Sequence, residues 1–320
     1  MVLALRYPPP SMSHPLSVSP NEGLKSEALR EALRTALAGK PEALEDVMCR
    51  YGGENNTRPN LRLAAAFGAE MAAMPGPVGR LLSRLGANDA APESSQVFLP
   101  IAAAYGWVGR LRAGLDIDQA WSALAELAAD ERVPVRLGTL DALNAFALRA
   151  GGGDALVARA RSWLDDDDRE RCFAAAALVV EVFANRQVLA ALGDLPPLLD
   201  YLASVIERVA GAPRSAERSD NRRRLLLSLP QALAAVVVGV GGDERGAAWL
   251  EVACTEARHP DVREVLSAAI LRSRANKAHG QNAAVTARLR AALEGSAKPA
   301  RDPTRKRPGT DRGKASRRMK

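Results

Sequence analysis

The side chains that most often do chemistry are few in this chain and poorly placed for it. Its three histidines, His14, His259 and His279, never fall four residues apart, so no helical zinc pair is present. The cysteines, Cys49, Cys172 and Cys254, are odd in number, widely separated and without a CxxC, which excludes a disulfide framework or a zinc knuckle. Cys172 opens an apolar stretch and is expected to be a small buried residue in a reducing compartment. No serine sits in a G-x-S-x-G setting. The run Asp165 to Asp168 lacks the alternating spacing of a calcium loop, and its expected role is to cap the helix that follows. Gly239, Gly241, Gly242 and Gly246 are followed by no P-loop lysine, so they are expected to end one helix and turn into the next near Asp243. No catalytic residue, metal ligand or cofactor is assigned.

Binding chemistry is concentrated at the C-terminus. Ser296 to Lys320 holds ten Lys and Arg against two Asp. Arg305, Lys306, Arg307, Arg312, Lys314, Arg317, Arg318 and Lys320 are the candidate nucleic-acid-binding residues. Pro, Gly, Ser and Thr between these charges oppose packing, so 296–320 is expected to be a disordered basic tail. Such a tail binds a polyanion by releasing counterions, with a log–log salt slope of about −0.9 per phosphate neutralised. It has no aromatic residue to stack on bases, so sequence selectivity is not expected. In a eukaryotic host the clusters Arg305-Lys306-Arg307 and Arg317-Arg318 would also serve nuclear import. The other 295 residues hold 34 basic and 35 acidic groups, a net charge of −1. The basicity therefore belongs to the tail and not to the fold.

The elements that must carry these residues read as helices. Ala and Leu dominate, aromatics are 4% and hydrophobic residues 47%, a globular composition rich in helix formers. Residues 1–21, with Pro8 to Pro10, read as a Pro/Ser-rich disordered arm. Beyond it, Gly and Pro punctuate one apolar-periodic segment after another: Asn21 as a cap, Gly39 as a stop, Pro41 as a start, Gly52 as a stop. Roughly fourteen helices and no strand pattern give an all-α class. The apolar opening before Arg6 and the segment from Ala232 are too short for a signal peptide or a membrane span. The expectation is a soluble, cytoplasmic protein without membrane contact.

One helix start recurs. Pro260-Asp261-Val262-Arg263 has a counterpart in Pro59-Asn60-Leu61-Arg62 and a looser one in Val133-Pro134-Val135-Arg136. Six and seven residues beyond the arginine come Ala142-Leu143, Ala269-Ile270 and, after Arg171, Ala177-Leu178. Arg136 and Arg263 are separated by about three units of about 42 residues. In these features the chain resembles the HEAT-repeat α-solenoids. The resemblance implies about seven antiparallel helix pairs over 22–295, with Pro59, Arg62, Pro134, Arg136, Arg171, Pro260, Val262 and Arg263 as repeat-motif residues. It also implies a curved face that grips a protein partner, so the expected function is a non-enzymatic scaffold. Pro230 and the uneven step from Arg171 to Arg224 predict a kinked or inserted repeat.

A second function follows from the same resemblance. Some HEAT-like proteins are similar to alkylation-repair DNA glycosylases, in which Trp and Asp handle a damaged nucleotide. Here Trp107, Arg110 and Arg112, with Asp116 or Asp118 as the acid, form the nearest match. A near-neutral body argues against it, and Trp121 and Trp163 fall at core-like helix positions.

Overall fold

The computed structural model describes residues 20–54, 58–76, 78–238, 244–275 and 282–296. The arm before Pro20 and the candidate tail residues Arg305 to Lys320 lie outside the described residues. The all-α expectation holds, with one helix more than the sequence count. The first half comprises α1 (Pro20–Leu37), α2 (Glu42–Tyr51), α3 (Leu61–Ala73), α4 (Gly79–Gly86), α5 (Phe98–Arg112), α6 (Ile117–Ala128) and α7 (Val133–Ala147). The second comprises α8 (Gly152–Leu164), α9 (Arg169–Phe183), α10 (Arg186–Ala190), α11 (Pro196–Ala210), α12 (Asp220–Val238), α13 (Arg245–Glu256), α14 (Pro260–Ala275) and α15 (Asn282–Gly295). Extended pairing among the described residues is limited to two antiparallel dipeptides, Gly53–Glu54 and Arg58–Pro59.

The local signals explain most boundaries. Gly39 takes a φ of +97°, which suits glycine, in the turn after α1. Pro41 and Gly52 flank α2 as its caps. Asp168 accepts from the backbone N–H groups of Glu170 and Arg171, so the acidic run does cap α9. Asn21 differs from expectation: α1 already begins at Pro20, and Asn21 lies inside it. Pro230 sits within α12, which continues through it. The uneven rhythm before Arg224 instead coincides with two inserted elements, the short α10 and a 3₁₀ turn at Arg214–Arg218.

Packing organises the helices into two rows. α3, α5, α7, α9, α12 and α14 touch successively and form an inner row. Outside it α4 meets α6, α8 meets α11, α11 meets α13 and α13 meets α15. The inner helices run parallel. Ile101 faces Gly138, Tyr105 donates to Asp141 and Arg112 reaches the Ala145 carbonyl, so α5 and α7 advance together. Likewise Glu170 meets Ser219, and Glu181 meets Arg224 and Ser228, between α9 and α12. α5 is buried from Phe98 to Arg110 and α9 from Cys172 to Val180, as helices apolar on all sides must be. Glycine sets one crossing distance: a methyl on Gly109 would overlap the Gly68 carbonyl oxygen, and one on Gly68 would lie 2.6 Å from that of Tyr105.

Several polar links between elements span 39 to 43 residues, beside others that span 33 to 36 or 47 to 51. Arg84 to Glu45, Arg161 to Asp200 and Arg222 to Asp261 each span 39 residues. Arg30 to Glu70 spans 40, Arg159 to Asp118 and Asn185 to Asn144 span 41, and Arg224 to Glu181 spans 43. No helix among the described residues is long and apolar enough to cross a membrane.

Candidate partner-binding surface

The expected repeat-motif residues serve the fold in different ways. Val262 is buried at the start of α14, behind Pro260 in the first turn. Arg263 donates to the Ala257 and Leu293 carbonyls and to Ser296 Oγ, tying α14 to the end of α15. Ser296, the first residue of the expected tail, is thus packed into the fold. Arg136 instead turns back on the segment before its own helix, donating at 2.7 Å to the Asp130 and Glu131 carbonyls. Burial, then the nearby Arg224 guanidinium, lowers the pKa of Arg136. Arg171 lies 3.5 Å from Asp166 in the acidic run. Pro134 stands in the first turn of α7, whereas Pro59 departs from the pattern: it is in a β dipeptide, and Asn60 caps α3. Arg62 is an exposed residue of the first turn of α3. The paired residues Ala142-Leu143, Ala177-Leu178 and Ala269-Ile270 are all buried.

The proposed nucleotide-handling group is not assembled on a surface. Trp107 is buried in α5. Arg110, only 2% exposed, donates to Asp116 at 2.8 Å and to the carbonyls of Met71, Met74 and Gly76, so it caps the end of α3 from within. Asp118 is 90% exposed and faces Arg159. Trp121 and Trp163 pack edge to face at 5.8 Å in the core. Cys172 and Cys254 are buried free thiols. The described residues contain no group of three or more His, Cys, Asp or Glu able to hold a metal.

Two grooves among the described residues lie on either side of α11. Between α11 and α13 runs a groove of about 840 Å³, lined by Ala203, Ile206, Trp249, Val252, Ala253 and Val262. Trp249 is half-buried and Val252 is 56% exposed, so water meets an apolar floor there. Glu207, Glu256 and Arg258 stand along its sides. Trp249, like the other tryptophans, is expected from the sequence to pack, and it does so on one side. α13 has a core stripe of Ala247, Leu250 and Cys254, and Trp249 and Ala253 lie half-buried beside it with Val252 exposed. On the other flank, between α8 and α11, a groove of about 810 Å³ is lined mainly by charge. Its walls are largely self-paired, Arg161 with Asp200 and Arg208 with Asp165.

The arginines of the Arg222–Arg224 run differ sharply. Arg222 is buried against Asp261 at 2.6 Å, Arg223 is exposed, and Arg224 grips Glu181 at 2.6 Å. Arg223 pairs with its exposed neighbour Asp220, at 2.7 Å within the first turn of α12. No family model matches the chain, and no curated protein matches it.

Proposed function

We propose that the chain is a non-enzymatic HEAT-like scaffold that binds an amphipathic helix of a protein partner in the groove between α11 and α13. The reading takes the fold as an α-solenoid of about seven helix pairs; among the described residues six sequential pairs pack on one another, α1/α2, α4/α5, α6/α7, α8/α9, α12/α13 and α14/α15. The successive contacts of α3, α5, α7, α9, α12 and α14 support that reading, since each repeat of a solenoid packs chiefly on its neighbours. The observation that carries the binding role is the exposed apolar floor made by Ile206, Trp249 and Val252. Fully burying an exposed side chain of this kind is worth about 1.5–3 kcal/mol, and covering the half-buried Ile206 and Trp249 contributes a part of that. A helix with an apolar stripe fits a trough between two helices. The basic tail contacts nucleic acid or another polyanion without sequence preference, and the free thiols suit a cytoplasmic setting.

Proximity labelling in cells tests the groove. Neighbours labelled by the wild-type chain should be lost with Val252→Glu and Trp249→Ala. They should persist with Leu37→Glu, an exposed position on α1, and with Asp116→Asn combined with Asp118→Asn. A labelled set unchanged by both groove variants refutes the binding role. Release of alkylated bases from duplex DNA that depends on Asp116 and Asp118 refutes the non-enzymatic one.

A further inference from the structure

Neither groove accounts for the arginines at the C-terminal ends of the inner row. Because the inner helices run parallel, those ends share one edge. α12 and α14 join this alignment, linked at their starts by Arg222 and Asp261 and near their ends by a pocket holding Gln231 and Arg272. Arg112 closes α5, Arg149 follows α7 and Arg186 follows α9, at equal steps along the sequence. Arg112 lies close enough to Arg149 for their like charges to oppose one another, and Arg112 donates only to the Ala145 carbonyl, at 2.9 Å. The edge continues through the hydrogen bond between Asn144 and Asn185 to a cavity of about 260 Å³ where Arg186 and Arg272 meet, with Gln231 and no acidic residue in its lining.

Elsewhere in this protein arginines meet carboxylates, as Arg84, Arg110, Arg132, Arg222 and Arg224 do. The carboxylates near the edge are engaged with other groups. Asp141 accepts from Tyr105, Glu181 holds Arg224 and Ser228, and Asp154 accepts from the backbone N–H groups of Gly193 and Asp194. Each helix end offsets about half a charge, which leaves the edge positive. Guanidiniums set side by side without carboxylates are stabilised by an anion from outside. The neighbouring aromatics Tyr105 and Trp107 are buried, so stacking on bases is not on offer and phosphate is the group that fits.

We propose that this arginine edge is a second, sequence-independent contact for the phosphodiester backbone of duplex nucleic acid, acting beside the tail. It extends the nucleic-acid half of the proposed function from the tail to the folded body, and rests on that reading only for the choice of ligand. The test is fluorescence anisotropy of a random-sequence DNA duplex with the full-length protein across a KCl series. Changing Arg149, Arg186 and Arg272 together to Gln should reduce the magnitude of the log–log salt slope by about 2 to 3, since each lost phosphate contact removes about 0.9. The melting midpoint should stay at the wild-type value, and the triple Arg→Lys variant should keep the wild-type slope. An unchanged slope in the Gln variant overturns the proposal. So does a loss of polyglutamate binding with duplex binding intact, which would make the edge a contact for acidic protein. A parallel variant with Arg305, Lys306, Arg307, Arg312, Lys314, Arg317, Arg318 and Lys320 changed to Gln separates the two contacts. If it alone lowers the slope, the edge fails and the tail stands; if only the edge variant lowers it, the tail fails and the edge stands.

Discussion

Replacing Arg110 distinguishes a structural clamp from a reaction centre. Its guanidinium is enclosed, with Nε donating to Asp116 at 2.8 Å and the terminal nitrogens donating to three carbonyls at the end of α3. Arg110→Ala removes the only buried cation from this corner, leaving a partly covered carboxylate and three carbonyls without their donor. Breaking a buried ion pair from one side costs about 3–5 kcal/mol. Asp116 is 28% exposed, so water recovers part of that cost, but the lost carbonyl bonds add about 1 kcal/mol each. The expected total is about 3–5 kcal/mol. Asp116→Asn should cost less, about 1–2 kcal/mol, because the amide oxygen still accepts and Asn tolerates the left-handed φ of 47° found here. The double variant should cost less than the two losses added, with a coupling of about 1–3 kcal/mol. Urea unfolding followed by far-UV circular dichroism measures all three. An Arg110→Ala loss below about 1 kcal/mol would refute the clamp, whereas an Asp116→Asn protein of wild-type stability that lost a turnover would make that carboxylate catalytic.

Two further outcomes are expected. Gly109→Ala should destabilise by about 1–3 kcal/mol because the added methyl meets the backbone of α3, while Gly86→Ala, whose nearest neighbour is the Ala103 methyl at 3.7 Å, should be close to neutral; equal effects in urea unfolding would mean that the crossing of α3 and α5 is not set by glycine. Burial pushes the Cys254 thiol from its ordinary 9.0 up to about 11, so between these values the unfolded chain has released a proton that the folded chain retains. Stability attributable to this group is therefore full below about pH 9 and falls as pH rises toward about 11. The wild-type decline over that window, measured by thermal unfolding, should be shallower in Cys254→Ala.

The helical class was legible because its causes are local: Ala and Leu in long periodic runs, Gly39 and Gly52 as stops, Asp168 as a cap. The fate of single residues was less so, because distant backbone decides it. Arg110 looks like a surface cation in the sequence, yet its acceptors Met71, Met74 and Gly76 lie 34 to 39 residues away. Trp107 carried a clue in the segment around it, apolar on every side and so bound to be enclosed. Pro59 and Pro260 share a motif by letter but not by role, since Asn60 takes over the capping that would otherwise make Pro59 a helix start. Net charge misled in a different way. A sum of −1 for the body conceals arginines collected at one edge, because a total carries no positions.

Residue size differs between the inner row and the helices outside it. Ala174, Ala177, Ala232, Ala235 and Ala269 are buried on α9, α12 and α14, and such small side chains let these helices approach closely. The helices outside them carry larger inward residues: Leu198, Tyr201, Leu202 and Val205 on α11, and Leu156 and Trp163 on α8. Two grooves lie on the flanks of α11. The floor of the apolar one is made by Trp249 and Ile206, half-buried against the core, and by exposed Val252.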